Sequence, residues 1–307
     1  MARVAVVGAS GFIGSSVCDA LSIRGHEVMR LKAPRMDSTR STDGFGTALD
    51  ELKRALSKCD SLINSAGVPA ATGTDDQQLL AANGILPGVL AALCAEADVR
   101  FIHVSSAAVQ GRCKKLNADP STSPFSPYSE SKARGESEAL RYSRTCVYRP
   151  PGVHGPSRTV TKAIARLARS SASSVAGEGT DNTAQALIGN VADAIAHLAT
   201  YDKTAPSIVS HPSEGLTTAS FLMALGGRAP RSLPRPLARG AVSAAFAAGR
   251  LNDRFSGHAR RLEMLWFGQQ QAESWLSQSG WIAPHQQNAW HELGRTLAHD
   301  SNRKDAE

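Results

Sequence analysis

Residues 3–7, RVAVV, form a short β-branched apolar run with no room for a helix, which predicts a strand. GASGFIG follows at 8–14, and FIGSSVCDALSIRG reads as the helix that leaves it. Gly25 suits a helix C-terminus, and EVMRL at 27–31 reads as a second strand. The alternation continues through SLINSAG at 61–67, a helix around PGVLAALCAEA at 87–97, and RFIHVSS at 100–106. Strands separated by helical stretches predict a parallel sheet covered on both faces.

After Pro156 the pattern loosens. Residues 157–179 predict an amphipathic helix and a glycine-containing turn, and 186–199, ALIGNVADAIAHLA, a return toward the sheet. Residues 207–227 read as a strand, a threonine-rich helix start and a short helix. The segment PRSLPRPLARG at 230–240, with three prolines and three arginines, predicts an extended linker. GAVSAAFAAG at 240–249 predicts a buried helix, too short to cross a bilayer, with peripheral membrane contact as the lesser alternative. The tail SNRKDAE is expected to fray. No repeat or long low-complexity run interrupts the chain.

At 307 residues and 42% hydrophobic, the chain can bury a sizeable core as one large domain or two small ones. The formal charge of +7 favours anionic partners. The basic residues are spread out, without the aromatic interleaving that grips nucleic acid, so an anionic cofactor or substrate is the simpler partner. Five cysteines, Cys18, Cys59, Cys94, Cys113 and Cys146, are scattered with no CxxC pair, which indicates neither a disulfide framework nor a zinc site and fits a reducing cytoplasm. The apolar run after Met1 is too short for a signal peptide or membrane span, and no metal or integral membrane contact is expected.

Gly8, Gly11 and Gly14 stand where a strand becomes a helix, the context a dinucleotide site requires. The first glycine turns tightly, the second admits a pyrophosphate to the backbone, and the third lets helix meet strand, with the helix N-terminus facing the negative charge. Ser10, Phe12 and Ile13 complete that loop. At the end of the second strand, where a carboxylate usually accepts the ribose hydroxyls of NAD, the chain offers Lys32 and Arg35. Bases there would attract a 2′-phosphate, which leans toward NADP with NAD as the alternative.

In SPYSESKARG, Tyr128 and Lys132 lie four positions apart and share a face if the stretch is helical. GASGFIG, NSAG, VSSAAVQG, PYSESK and YRPPGVHGP together resemble the extended short-chain dehydrogenases/reductases, the NAD-dependent epimerase/dehydratase family of nucleotide-sugar 4-ketoreductases and 4-epimerases. The resemblance covers most of the chain. It implies an α/β fold, a Rossmann-type doubly wound parallel sheet over 1–156 with a return segment at about 184–212, and a smaller C-terminal substrate-binding domain from 157–183 and 213–307. It implies Ser106, Tyr128 and Lys132 as the catalytic set, with Tyr128 and Lys132 also against the cofactor beside Ala66, Gly67 and Pro151. Chemically, a free phenol is a poor base at neutral pH, so a neighbouring ammonium that favours the phenolate is what such a site needs. Ser106 can orient a substrate oxygen.

Asn83 resembles the asparagine of the family's N-x-x-G element, but a helix N-cap role explains it as well. Asn64 fits a turn, and His103 and His154, lone histidines near strand ends, are assigned no role. Asn190, Val191 and Asp193 match the family's V-x-N-x-x-D-A pattern.

The order of segments in the back half resembles the subgroup that processes UDP-activated amino sugars for surface polysaccharides. This implies reduction of a 4-keto-6-deoxy nucleotide sugar. Two departures stand against it: NTAQA at 182–186 lacks the arginine that usually meets the diphosphate, and Gly152 replaces an asparagine. Arg158, Arg166 or Arg169 could substitute, so Arg158 and Arg166 join Ser106 as expected substrate contacts. A C4 epimerase, a reductase of a non-sugar alcohol or ketone, and a non-catalytic dinucleotide-binding regulator stay open, and a homodimer is compatible with the sequence.

Overall fold

The computed structural model describes residues 1–34, 36, 46–69, 75–251 and 253–304. In order, the front half runs β1 (Arg3–Val7), α1 (Phe12–Ile23), β2 (Glu27–Leu31), α2 (Gly46–Leu56), β3 (Ser61–Asn64), α3 (Asp76–Leu79), α4 (Leu86–Glu96), β4 (Arg100–Val104), β5 (Lys115–Leu116), α5 (Pro127–Ala139) and β6 (Thr145–Arg149). It continues through β7 (Gly152–His154), α6 (Thr159–Arg169), β8 (Ser174–Ala176), β9 (Gln185–Leu187), α7 (Ile188–Thr200) and β10 (Ile208–Ser210). Last come α8 (Thr218–Gly226), β11 (Arg231–Leu233), α9 (Arg235–Leu251), α10 (Asp253–Phe267), β12 (Gln270–Gln271) and α11 (Asn288–Lys304).

Six strands form one parallel sheet in the order β2-β1-β3-β4-β6-β10. The chain steps from β1 outward to β2, then returns to β3 on the other side. The crevice beyond the carboxyl ends of β1 and β3 is therefore the topological switch point, where open α/β sheets bind ligands. The glycine loop leaves β1 at that place and Ser65–Gly67 leaves β3 beside it.

Strand alternation builds the two cores. Val4 and Val6 face α1 and α7 with Val17, Leu21 and Ile195, whereas Ala5 and Val7 face α2 and α4 with Leu52, Leu62 and Leu90. A third apolar cluster joins α6, α8 and α11 through Ala165, Phe221, Leu225 and Trp290. The helical run Asp76–Glu96 is long and apolar enough by composition to cross a membrane. Here Leu86, Leu90 and Cys94 of that run lie in the second core.

Three expectations for the back half change. The 230–240 segment is not an extended linker: β11 pairs with β8, and α9 starts at Arg235. Pro236 falls in the first turn of that helix, where a missing N–H has no intrahelical partner to lose. Residues 240–249 are helical as predicted but not buried. Val242 and Gly249 are covered, while Ala241, Ala244, Ala247 and Ala248 are exposed. Alanine makes a segment look apolar yet has little surface to hide, so composition overstated the burial. In the tail, α11 continues through Lys304, and residues 305–307 of the expected fraying segment lie outside the described residues.

Candidate active site

Helix α5 places the tyrosine and lysine. Ser126 caps it, accepting a hydrogen bond from Ser129 N at 3.2 Å, while Ser129 Oγ accepts from Ser126 N at 3.0 Å. Pro127 occupies the first turn. Tyr128 thus sits at the helix start with Lys132 one turn on. The depth of the helix is set by its contact with the preceding helical run, which adopts a π-helical turn over Leu80–Ile85. Pro87 has no N–H to give the Asn83 carbonyl four residues back. That carbonyl instead faces Gly135 of α5, where a Cβ would lie 2.0 Å from it. Only a glycine allows this approach.

Ser106 neighbours Tyr128, and Lys132 lies one turn along α5 with its ammonium at the end of β4. Lys132 is 6% exposed, and its Nζ donates to the Val104 carbonyl at 3.1 Å, which ties α5 to the end of β4. Burial pulls its pKa down to about 8, with the Glu136 carboxylate opposing. Ser106, two residues past β4, caps a short 3-10 turn by accepting from Ala108 N at 3.2 Å. Its hydroxyl is also the nearest polar neighbour acting on the Tyr128 phenol. Burial raises the Tyr128 pKa, while that hydroxyl and the charge of Arg158 hold it down.

Beside this trio the glycine loop forms a cradle of backbone. Gly8 has φ +81°, and a Cβ on it would sit 2.6 Å from Ala66 N. On Gly14 a Cβ would lie 2.1 Å from the Gly8 carbonyl oxygen. Gly11 caps α1 with no side-chain hydrogen bond and no acid in the first turn, so the N–H groups at the start of α1 stay available to an anion. Ser10 and Gly11 are exposed, Phe12 and Ile13 half-buried. Across the crevice, Ala66 N is held by Asn64 Oδ1 at 3.1 Å, and the Gly67 backbone packs directly against two side chains, a Cβ there lying 2.6 Å from Asn83 Oδ1 and 3.2 Å from Lys132 Nζ. These residues fit a dinucleotide: backbone donors for a pyrophosphate and an ammonium near the place where the chain passes toward Tyr128.

The profile of the NAD dependent epimerase/dehydratase family matches residues 4–209, from β1 into β10. The chain belongs to this family. Among curated proteins, dTDP-4-dehydrorhamnose reductase of Mycolicibacterium smegmatis is 29% identical over 143 residues, 45% of this chain and 41% of that protein. The chain spans about half the length of the curated relatives it matches. Two solved structures align over nearly the whole chain. Human epimerase family protein SDR39U1 with NADPH superposes at TM-score 0.64 and 23% identity, covering 95% of this chain and 99% of that one. MoeE5 in complex with UDP-glucose and NAD gives 0.65 and 19%, covering 98% and 99%. At such identities the likeness is one of fold.

The remaining expected contacts of this epimerase/dehydratase chain divide. Lys32 is exposed just past β2, at the sheet edge that borders the glycine loop, and Arg35 lies outside the described residues. Pro151 is half-buried after β6. Arg158 comes close to Tyr128, but Arg166 is exposed on α6, about 12 Å further along the helix axis at 1.5 Å per residue. Arg169 lies at the end of α6, bonded to Ser301 at 3.3 Å. The NTAQA segment is spent internally. Gln185 accepts from His154 Nε2 at 2.8 Å and donates to Thr183 at 3.1 Å, while Thr161 reaches the other His154 nitrogen at 3.1 Å. Burial pulls the His154 pKa down to about 4 and keeps the ring neutral, with the Gln185 hydrogen bond opposing. His103 is buried next to Asn64, with a pKa well below the usual range from burial and the nearby Lys132 charge.

Asn83 is not an N-cap. Its amide pins the loop after β3, accepting from Val68 N at 2.9 Å and donating to Val68 O at 3.0 Å, and it also donates to Ser131 at 3.2 Å. The N-x-x-D residues are ties too. Asp193 pairs with Arg24 at 2.7 Å and accepts from Trp281 Nε1 at 2.8 Å, and Asn190 joins Glu214 and His285. The sequence reading missed two buried groupings. Arg149 and Glu136 form a nearly fully buried ion pair at 2.6 Å, one turn beyond Lys132, and Tyr148, His211, Glu214 and Trp290 form a hydrogen-bonded chain from β6 to α11. For the ion pair no local spacing gave a signal, since Arg149 lies 13 residues beyond Glu136 on β6.

Two clefts of about 330 and 470 Å³ lie elsewhere, lined by residues such as Glu178, Ser220 and Met223 in one and Arg112, Arg235 and Arg260 in the other. Neither includes Ser106, Tyr128 or Lys132. We place the site at the polar convergence, because reacting groups must meet there and hollow volume alone performs no chemistry.

Proposed function

We propose that the chain reduces the 4-keto group of a 4-keto-6-deoxy nucleotide sugar, of the UDP-amino sugar type used for surface polysaccharide, in the cytoplasm and with NADPH. The observation that carries this reading is the pairing of Ser106 with Tyr128 one turn from Lys132, whose ammonium borders Gly67 of the cradle. Residues 157–183 and 213–307 would supply most substrate contacts, with Arg158 nearest the reacting groups. The family match and the reductase activity in the name of the Mycolicibacterium relative support a reduction. UDP-glucose bound to MoeE5 supports a nucleotide sugar.

Bound NADPH supplies the hydride. Ser106 holds the substrate oxygen in line, and Tyr128 gives its phenolic proton to that oxygen as negative charge develops. Lys132, buried and fixed on the Val104 carbonyl, contributes a preoriented positive charge beside the Gly67 backbone. Solvent then returns a proton to Tyr128.

Incubating the protein with a panel of UDP- and dTDP-4-keto-6-deoxy sugars and following NADPH absorbance tests the reading. Oxidation of NADPH with one of them is the expected result. Consumption of a sugar nucleotide without loss of NADPH would instead identify a C4 epimerase. A second reading, reduction of a non-sugar ketone, is favoured by the internal use of Thr183 and Gln185 where the family presents a diphosphate arginine. It prevails if only non-sugar ketones drive NADPH oxidation.

A further inference from the structure

Ser106 follows β4 and Tyr128 begins α5, so two separate elements have to be held in register. Arg149, the last residue of β6, sits where that register is set. The backbone on either side of it frames the serine: Ser105 N donates to the Tyr148 carbonyl at 2.8 Å, and Ala107 N to the Pro150 carbonyl at 2.9 Å. The Arg149 side chain reaches α5. Its Nε donates to both carboxylate oxygens of Glu136, at 3.0 and 3.2 Å, and its Nη2 to Oε2 at 2.6 Å. Nη1 donates to the Asp119 carbonyl at 2.6 Å, in the loop that leads to the cap of α5. The planar fork of an arginine suits such a two-oxygen grip, and the point charge of a lysine does not.

Glu136 lies four residues after Lys132 on α5, the spacing at which side chains on a helix meet. Both are buried, Lys132 at 6% and Glu136 at 2% exposed. Away from water, a carboxylate one turn from an ammonium competes strongly for it. The ammonium is nevertheless committed elsewhere: Lys132 Nζ donates to the Val104 carbonyl at 3.1 Å, and a Cβ on Gly67 would lie 3.2 Å from it. The Glu136 oxygens are instead taken up by three contacts with Arg149. Glu136 on the same helix and His103 on β4 are the charged and titratable neighbours of Lys132.

We propose that Arg149 is a positioning residue for the reduction: by gripping both oxygens of Glu136, it keeps that carboxylate from drawing the Lys132 ammonium off the Val104 carbonyl. The lysine charge then stays beside Gly67 and one turn from Tyr128, where the reaction uses it. The inference rests on the reductase reading and goes beyond the three residues that reading invokes. Loss of Arg149 removes more than a tie between β6 and α5, because it releases a buried carboxylate beside the ammonium. Neutralising Glu136 as well takes the competitor away.

The two roles, guard over Lys132 and plain tie, separate in a double variant. In Arg149→Met the freed carboxylate pairs with Lys132, and turnover should fall by roughly 10- to 100-fold, as for a displaced reacting group. In the double variant Glu136→Gln with Arg149→Met the tie is still broken but the competitor is neutral, so turnover should recover most of that loss. If the double variant is as slow as the single one, Arg149 is only a tie and the proposal fails. Where Arg149→Met does not fold, Arg149→Gln, which can still give one N–H to Glu136, takes its place. An independent readout needs neither substrate nor cofactor: the carbon-13 resonance of Lys132 Cε during titration, assigned with Lys132→Met. Burial pulls the Lys132 pKa down to about 8 in the wild type, with Glu136 opposing. An unpaired carboxylate favours the charged amine further, so the midpoint should move up by about 1 pH unit in Arg149→Met and come back down in the double variant. An unmoved midpoint overturns the proposal. If no ketone oxidises NADPH with the wild type, the reductase reading fails, and this titration still decides what Arg149 does.

Discussion

The two sides of the site are built from different material. On the cofactor side, recognition rests on backbone: Gly8, Gly14 and Ala66 approach within distances that leave no room for a single added carbon. On the C-terminal side, structure rests on individual polar side chains, with Tyr148, His211, Glu214 and Trp290 linked across 63 and 76 residues of sequence. Backbone donors bind any pyrophosphate, so the first arrangement is general and needs only small residues at fixed spacing. The second is particular to this chain. A cradle of this kind tolerates surface change and fails on bulk, whereas a buried polar chain tolerates bulk poorly and also fails when one partner is lost or becomes charged.

Where the two sides meet, the largest effect is expected. Tyr128→Phe removes the proton donor and its polar contact toward Ser106 but leaves the cradle intact. Turnover should fall by roughly 10²-fold or more, with NADPH affinity nearly unchanged. Retention of above about a tenth of wild-type turnover would exclude Tyr128 as the donor.

The polar side is tested through pH. His154 is buried and neutral, with a pKa of about 4 against 6.5 unfolded, because burial penalises its charged form. The unfolded chain therefore binds the extra proton first as pH falls. Stability is lost between about pH 6.5 and 4, by a total near 3 kcal/mol, and is regained as pH rises through the same window. Urea unfolding of wild type and His154→Gln over that range should show a shallower acid loss in the variant. Parallel pH slopes would refute the assignment.

The backbone side is tested by one methyl group. In Gly14→Ala the new carbon would sit 2.1 Å from the Gly8 carbonyl oxygen, so the loop must open. Overpacking of this kind costs about 1–3 kcal/mol, read as weaker NADPH binding by roughly 5- to 150-fold in calorimetry. An unchanged dissociation constant would mean that the cradle does not hold the pyrophosphate.

This contrast also explains what could be read in advance. The β-branched apolar run RVAVV and the glycine spacing are local, so the sheet, the loop and the Tyr128–Lys132 helix face were visible in short windows. Family resemblance was needed to bring Ser106 to them across 22 residues. By contrast, the Asn83 carbonyl is freed by Pro87 and received by Gly135, a coincidence of three residues that no window contains. The internal use of Gln185 was hidden for the same reason: a glutamine in a strand looks available until His154 is known to lie 2.8 Å away. Misreading of residues 240–249 came from the opposite cause, a local apolar signal made of alanines that tertiary packing had little reason to cover.

The smallest effect is expected at the edge of the cradle, where recognition passes from backbone to a side chain. Lys32 is exposed past the end of β2, the place from which a residue can reach the adenosine ribose. A 2′-phosphate carries close to two negative charges, and one charge-assisted hydrogen bond to it contributes about 1.5–3 kcal/mol, discounted here for exposure. A preference of about tenfold for NADPH over NADH should result. Lys32→Asp replaces the attraction by repulsion and offers the ribose hydroxyls an acceptor, so it should erase the preference or invert it without touching the glycine contacts. The ratio of the two dissociation constants, measured by fluorescence in both proteins, isolates this effect because the shared pyrophosphate contribution cancels. Equal binding of NADH and NADPH by the wild type would show that the side chain adds nothing to the backbone cradle, and would move the epimerase reading ahead of the reductase.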